Sequence, residues 1–230
     1  NIYRQECIGC SFLYGAAARA AKVLGIQYAN SVKPTVTING EEYKIELDIQ
    51  DNQSSTDKAV SAAQQLVADK VSVVLGSYGS GVSIAAGTYF ANAKIPAIGC
   101  SCTNAAVTAG NDYYFRVCFL DPQQGKIAGS FVYDNLGFDK AAILYDVNDD
   151  YALGLKDNFV KVFESKGGTI VAEEGYTAGD TDFTAQLTKI KEAQPQIIFT
   201  PIFYQDFIMI HKQARTLGIE VPMLGGDGCA

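Results

Sequence analysis

The chain has 230 residues, of which 48% are hydrophobic and 19% charged, and its net charge is −7. This length and apolar content suffice for one large domain or two small ones with buried cores. The acidic balance argues against a nucleic-acid partner, and the single histidine argues against a His-based metal site or a Ser-His-Asp triad.

Short apolar runs alternate with segments of helical periodicity, a pattern that predicts βαβ units and a parallel sheet. Ser55 or Thr56 is a suitable N-cap for one of these helices. Asn39-Gly40 predicts a hairpin with a type I′ turn, which should lie at the edge of the sheet. In the first half we predict strands over 2–9, 43–49, 71–75 and 97–99 and helices over 16–31, 56–68 and 81–93.

The segment 113–120 is predicted to be a further strand, and Asp121-Pro122 to be the N-cap and first position of a helix. A second series follows, with strands over 141–145, 169–174, 196–200 and 221–224 and helices over 151–166, 182–193 and 203–217. Two such series predict two Rossmann-like α/β lobes, 1–118 and 119–230, with a cleft between them. No closing helix follows the final strand, so we expect the native chain to be truncated here at its C-terminal end.

Three loops at predicted strand ends carry polar groups suited to a small molecule. The glycine-rich loop 225–228 presents Asp227, which suits a cationic group. The loops 76–80 and 99–103 offer hydroxyls and backbone N–H groups, which suit a carboxylate. Together they predict a receptor for a free amino acid. The alternative is that they are ordinary βα turns, which are rich in Gly and Ser.

Other chemistries find less support in the sequence. The loop 76–81 has neither the P-loop nor the dinucleotide pattern, and no nucleophile elbow with a base is present. Asp146, Asp149 and Asp150 lack EF-hand spacing and are interpreted as a solvated loop that caps a helix at Tyr151. We therefore predict no enzymatic activity, no cofactor and no metal.

The six cysteines include the pair Cys7 and Cys10, whose spacing occurs in redox and metal sites. No second pair has zinc-ribbon spacing. We expect unpaired, mostly buried thiols, because free cysteine is among the most buried residue types. The even count leaves disulfides open.

Several motifs between residues 48 and 228 are shared with a known family. They include Asp51-Asn52-Gln53-Ser54, Leu75-Gly76-Ser77, Ser101-Cys102-Thr103-Asn104, Asp121-Pro122-Gln123-Gln124-Gly125 and Gly225-Gly226-Asp227-Gly228. In this combination the chain resembles the type I periplasmic substrate-binding proteins of branched-chain amino acid ABC transporters. The resemblance implies the type I periplasmic binding protein fold.

The resemblance also implies which residues contact a ligand. Ser80 and Thr103 would bind its α-carboxylate, together with nearby backbone N–H groups. The backbone carbonyl of Ser101 or Cys102 would take part of the ammonium group, and Asp227 would supply the counter-charge.

Aromatic residues complete the implied site. Tyr151 and Phe203 would close over the ligand from the second lobe, and Tyr78 would line the side-chain pocket. Phe203 stands where relatives often have Tyr. Aromatic side chains near strand ends are independently typical of small-molecule clefts.

The resemblance implies an extracytoplasmic solute-binding protein, free in the periplasm or lipid-anchored at the outer face of the cell membrane. It would be a monomer that captures an aliphatic amino acid by hinge closure and delivers it to an ABC transporter permease. An alternative is a ligand-sensing regulator or receptor domain of the same fold, for an amide or another amino-acid-like molecule. A nucleotide-binding enzyme is opposed by the missing phosphate motif.

Overall fold

The structure, a computed structural model, describes residues 2–8 and 35–229, with side chains from residue 35 onward apart from Ile45 and Leu47. The helix predicted over 16–31 and the pair Cys7 and Cys10 lie outside this description, apart from the backbone of Cys7. Contacts divide the chain into two compact units, Asn1–Cys118 and Phe119–Ala230.

The first unit is built on a six-stranded sheet with the order β2-β3-β1-β4-β5-β6. β2 runs antiparallel to β3, and the remaining neighbours are parallel. The strands are β1 (Ile2–Ile8), β2 (Thr35–Ile38), β3 (Glu41–Asp51), β4 (Val73–Leu75), β5 (Ala97–Gly99) and β6 (Tyr114–Arg116).

The predicted hairpin and its edge position are confirmed. Asn39 and Gly40, between β2 and β3, have φ values of 52° and 86°, as both central residues of a type I′ turn require. β2 is the terminal strand of the sheet.

Two helices, α1 (Thr56–Ala68) and α2 (Ser80–Ala93), pack over the sheet of the first unit. Ser55 is the N-cap of α1, and its hydroxyl accepts a hydrogen bond from the backbone N–H of Lys58. The small buried side chains of α1, Ala59, Ala62 and Ala63, let this helix pack closely against α2. The core formed here includes Ala59, Ala63, Leu66, Val74, Ala86, Phe90 and Ala97.

The second unit has a four-stranded parallel sheet with the order β10-β9-β7-β8. Its strands are β7 (Lys140–Asp146), β8 (Thr169–Tyr176), β9 (Ile197–Thr200) and β10 (Met223–Gly225). Its helices are α3 (Asp121–Ser130), α4 (Asp150–Ser165), α5 (Thr184–Glu192) and α6 (Tyr204–Thr216), with a π-helical segment over Phe131–Asn135 and a 3-10 turn over Asp227–Cys229.

Alternate residues of β7 and β9 point to opposite faces of this sheet, and helices cover both. Ala142, Leu144 and Ile198 pack with Leu187 of α5 and Ile210 of α6. The intervening positions pack with α4, and this second cluster contains Ala141, Ile143, Ile197, Phe199, Leu155, Phe159 and Phe163. Burial on both faces explains why these strands are almost entirely apolar.

Three local predictions were wrong in part. A strand was predicted over 113–120, but only β6 (Tyr114–Arg116) is part of the sheet, because the chain leaves the sheet after Arg116. The N-cap of α3 is Leu120, and Asp121 lies in the first turn beside Pro122. The acidic loop before α4 does cap that helix through Asp149, but Asp146 is buried rather than solvated.

Four cysteines have described side chains, and all of them are free thiols. Cys102 is buried, whereas Cys100, Cys118 and Cys229 are partly exposed, so the predicted burial applies to one of the four. In residues 2–8 and 35–229, no three or more His, Cys, Asp or Glu side chains converge as a metal-binding group. No helix in the same ranges is long and apolar enough to cross a bilayer.

Candidate functional site

Two loops of the first unit follow the C-terminal ends of the neighbouring strands β4 and β5, at residues 76–79 and 100–104. The first loop leads directly into α2, whose N-cap is Gly79. Glycine has no side chain to cap the helix, so no side-chain hydrogen bond covers this N-terminus. The uncapped N–H groups at this helix start and the helix dipole suit an anionic group.

Two hydroxyl groups lie beside this helix start. Thr103 is fully buried, and its Oγ1 makes no hydrogen bond with any described residue. Ser80 is also buried, and its Oγ accepts a 3.1 Å hydrogen bond from the backbone N–H of Asn104, which leaves the hydroxyl hydrogen to donate. A buried, unused hydroxyl costs stability unless a ligand pairs with it. Ser80, Thr103 and the first N–H groups of α2 are called the first-unit site below.

The first loop is held from beneath by Tyr114 of β6. The Tyr114 hydroxyl accepts a 3.0 Å hydrogen bond from the backbone N–H of Ser77 and donates a 2.7 Å bond to the carbonyl of Gly76. Asn52 donates to the Ser77 hydroxyl at 2.6 Å. These buried contacts fix the loop before any ligand arrives.

The second loop is tied to the first by Ser101, whose hydroxyl donates to the carbonyl of Tyr78 at 3.1 Å. The carbonyl of Cys102 already accepts a 2.9 Å hydrogen bond from Arg116. Of the two carbonyls that the sequence offered for an ammonium group, that of Ser101 is therefore the better placed to accept a further bond. Tyr78 itself is buried.

The free thiols of Cys102 and Cys118 form a hydrogen bond with each other in the first unit. A hydrogen bond to Cys118 and the nearby Arg116 guanidinium lower the pKa of Cys102. The same hydrogen bond and partial burial raise the pKa of Cys118. Gly99 makes room for this arrangement, because a side chain there would overlap the sulfur of Cys102.

In the second unit, Asp227 follows β10 and lies in the 3-10 turn. The backbone N–H of the next residue, Gly228, donates a 2.9 Å hydrogen bond to the hydroxyl of Tyr151, in the first turn of α4. Burial is the main influence on Asp227 and raises its pKa, while a hydrogen bond from Tyr151 opposes that rise. Burial and the nearby Asp227 raise the pKa of Tyr151, which keeps its hydroxyl protonated.

Phe203 completes this part of the second unit. It is the N-cap residue of α6, and its ring stacks on that of Tyr151 with centroids 5.3 Å apart and an interplanar angle of 27°. Phe203 remains partly exposed, whereas Tyr151 is buried. The pair therefore provides a flat apolar wall next to a carboxylate.

Sequence reasoning missed Gln124, on α3. Its side-chain Nε2 donates a 2.9 Å hydrogen bond to Oδ1 of Asp227, and its Oε1 accepts a 3.3 Å bond from the backbone N–H of Asp227. Gln124 belongs to one of the shared motifs, but a separation of 103 positions along the chain hides the contact. Asp227, Tyr151, Gln124 and Phe203 are called the second-unit site below.

The predicted residues thus form two groups, each within one unit. Both groups lie at the C-terminal ends of parallel strands, where open α/β sheets bind ligands. Tyr78, Ser80, Ser101, Cys102 and Thr103 belong to the first unit, and Tyr151, Phe203 and Asp227 to the second. A neutral, hydroxyl-lined helix start in one unit and a carboxylate beside aromatic rings in the other can recognise groups of opposite charge.

Comparison with known proteins identifies the family. The sequence profile of the periplasmic binding protein family matches residues 10–228. The chain belongs to this family. This confirms the resemblance and the α/β fold predicted from the sequence, and it places the protein among ligand-binding proteins rather than enzymes.

One relative of this periplasmic binding protein comes from Brucella suis biovar 1, strain 1330. That protein, Leu/Ile/Val-binding protein homolog 1, is 31% identical over 221 residues, which cover 96% of this chain and 58% of the relative. The chain therefore spans little more than half the length of this relative.

Two solved structures are similar throughout this chain. The leucine-binding protein LivK from Thermotoga maritima has a TM-score of 0.90 at 32% identity. The match covers 100% of this chain and 64% of the LivK chain. The branched-chain amino acid transporter substrate-binding protein LivJ from Streptococcus pneumoniae, in complex with isoleucine, has a TM-score of 0.88 at 36% identity. That match covers 99% of this chain and 64% of LivJ.

Proposed function

We propose that the protein binds a free amino acid with a branched aliphatic side chain. The observation that carries this is the buried Thr103 hydroxyl, which pairs with no described residue and lies beside an uncapped helix start. A ligand carboxylate there would accept from Thr103, Ser80 and the N–H groups of α2, and would also gain from the helix dipole.

The second-unit site supplies the other half of the recognition. The Asp227 carboxylate would balance the ligand's ammonium group, to which the carbonyl of Ser101 would add one neutral acceptor. A ligand with a carboxylate but no ammonium group would leave the charge of Asp227 uncompensated, because the Asp227 carboxylate would stay partly buried without a cation beside it. This charge arrangement favours an α-amino acid over a simple carboxylic acid.

Aromatic side chains support an apolar ligand side chain. Tyr78 is buried next to the first-unit site, and the stacked rings of Tyr151 and Phe203 form an apolar wall in the second. The bound isoleucine of the LivJ structure points to the same class of ligand. Because Phe203 has no hydroxyl, it would contribute packing and no hydrogen bond.

The biological role follows from the family. We propose that the protein works outside the cytoplasm, captures its ligand as a monomer by hinge closure, and delivers it to an ABC transporter permease. The name of LivJ, a branched-chain amino acid transporter substrate-binding protein, supports the transport part of this role, and the name of the Brucella protein supports the binding of leucine, isoleucine or valine.

Isothermal titration calorimetry against L-leucine, L-isoleucine and L-valine tests the proposal. L-leucine should bind, 4-methylpentanoate and 3-methylbutylamine should bind far more weakly, and Asp227→Asn should weaken L-leucine by about tenfold or more. Asp157→Asn is the matched control, because that carboxylate lies on the exposed side of α4 beside Lys156. Binding of sugars or nucleotides in place of amino acids would refute the proposal.

A further inference from the structure

We propose that Gln124 is a positioning residue that holds the carboxylate of Asp227 in the orientation and charge state needed for an ammonium group. This inference rests on the proposed amino-acid function and extends it to a residue that need not touch the ligand. Gln124 would act entirely through Asp227.

The side-chain amide of Gln124 forms hydrogen bonds with both the carboxylate and the backbone of Asp227. Nε2 of Gln124 donates to the carboxylate oxygen Oδ1 at 2.9 Å, while Oε1 accepts from the backbone N–H of Asp227 at 3.3 Å. Turning the amide over would set its oxygen against the carboxylate and its NH₂ against a backbone N–H. The network therefore allows one amide orientation, in which the carboxamide of Gln124 supplies a donor and an acceptor together.

Glycines permit the close approach on both sides of this contact. A Cβ on Gly226 would lie 2.7 Å from Oε1 of Gln124 and would also overlap the hydroxyl of Tyr151. On α3, a Cβ on Gly125 would lie 2.6 Å from Cβ of Asn158 and 2.8 Å from the backbone nitrogen of Phe159. Because neither glycine has a side chain, α3 can pack closely against α4, and Gln124 can reach the 3-10 turn that contains Asp227.

The surroundings of Asp227 explain why the Gln124 amide affects the protonation of its carboxylate. Burial raises the pKa of Asp227, while hydrogen bonds from the Tyr151 hydroxyl and from the backbone N–H groups of Asp227 and Gly228 lower it. The N–H of Gln124 is a further donor, 2.9 Å from Oδ1. Among the described residues, the titratable groups that interact with it are Tyr151 from α4 and Cys229 from its own turn. The facing group on α3 is the uncharged Gln124, and α6 contributes no charge that shifts the pKa of Asp227. Loss of the Gln124 N–H should therefore favour protonation.

Gln124→Met tests this role because it keeps the length of the side chain and removes the amide. We expect the affinity for L-leucine to fall by about tenfold near neutral pH. The loss of binding on acidification should begin at a higher pH than in the wild type, because Asp227 protonates more readily. Gln123→Met, at an exposed position on the same helix, is the matched control and should change neither quantity.

A second measurement does not depend on any ligand. The side-chain carbon of Asp227, assigned by its absence in Asp227→Asn, can be titrated by ¹³C NMR in the wild type, Gln124→Met and Gln124→Ala. Both variants should raise the midpoint. An unchanged midpoint in both would overturn the inference, and so would an affinity loss that is the same at every pH.

A double-mutant cycle separates this role from a general structural one. In an Asp227→Asn background, Gln124→Met should change leucine affinity by less than about twofold, since the charge it supports is gone. Full additivity would overturn the positioning role while leaving the proposed function intact. If wild-type protein binds leucine with no dependence on Asp227, this inference fails and the proposed function keeps its ligand but loses the Asp227 contact. If it binds none of the branched-chain amino acids, the proposed function and this inference both fail.

Discussion

The backbone N–H of Gly228 donates a 2.9 Å hydrogen bond to the hydroxyl of Tyr151, across 77 positions of the chain. Gly228 and Tyr151 are both buried, so water does not compensate for a loss of this bond. The same hydroxyl interacts with the Asp227 carboxylate. One phenol thus satisfies a backbone donor and a side-chain acceptor in the 3-10 turn.

Tyr151→Phe should lower the free energy of unfolding by about 1–3 kcal/mol, because it removes the acceptor of the 2.9 Å hydrogen bond from the buried Gly228 N–H and also a donor to the Asp227 carboxylate. Urea denaturation followed by circular dichroism measures this change. Tyr133→Phe is the control, since the Tyr133 hydroxyl makes no hydrogen bond within the described part of the chain while its ring packs edge-on against Phe163. Equal losses in the two variants would contradict the role of the hydroxyl.

The order of helices and strands could be predicted from periodicity and caps. α1 begins and ends as predicted, with Ser55 as N-cap, and the buried β9 was recognisable as a continuous apolar run. Such signals are local: they depend on side-chain spacing, on capping oxygens and on turn residues such as Asn39-Gly40. The π-helical turn after α3 was missed, because no local pattern marks it.

The candidate site was only partly accessible to sequence reasoning. Glycine and hydroxyl-rich loops after strands pointed to Thr103 and Asp227, but they could not reveal that the Thr103 hydroxyl pairs with no described residue. Contacts such as Gln124 with Asp227, and Tyr114 with Ser77, join residues far apart in the chain. They depend on how helices and strands pack, which residue patterns do not encode.

Tyr114→Phe should loosen the loop that precedes α2. The Ser77 N–H and the Gly76 carbonyl would each lose a hydrogen bond to the Tyr114 hydroxyl, and we expect the free energy of unfolding to fall by about 1–3 kcal/mol. Hydrogen exchange should report faster exchange at the Ser77 amide. The neighbouring Tyr113→Phe should leave that amide protected, and comparable exchange in the two variants would refute this account.

Asp149 should make stability fall as the pH rises toward neutrality. Burial raises the pKa of its carboxyl to about 7, whereas an unfolded Asp titrates at about 3.9. The folded protein therefore holds a proton that the unfolded chain releases between these values, so stability is greatest below about pH 4 for this group and declines up to about pH 7.

Asp149→Asn tests this linkage while keeping an acceptor for the N–H groups of Tyr151 and Ala152 at the start of α4. Relative to the wild type, the variant should gain unfolding free energy between about pH 5 and about pH 7.5, because it has no proton to release. Urea denaturation at the two pH values measures the difference. Asp157→Asn, at an exposed position on α4, should show no such gain, and its appearance there would point to another group.

Thr103→Val should separate stability from binding. The Thr103 hydroxyl is buried and pairs with no described residue, so its replacement by an isosteric methyl should leave unfolding free energy unchanged or raise it by about 1 kcal/mol. Affinity for L-leucine should nevertheless fall by about tenfold, because the ligand carboxylate loses a donor. Thr200→Val is the opposite case: Thr200 donates to the Leu224 carbonyl at 3.3 Å, so the change should cost stability. If Thr103→Val destabilised the protein as much as Thr200→Val and left leucine affinity intact, the hydroxyl would be structural and the proposed carboxylate contact would be wrong.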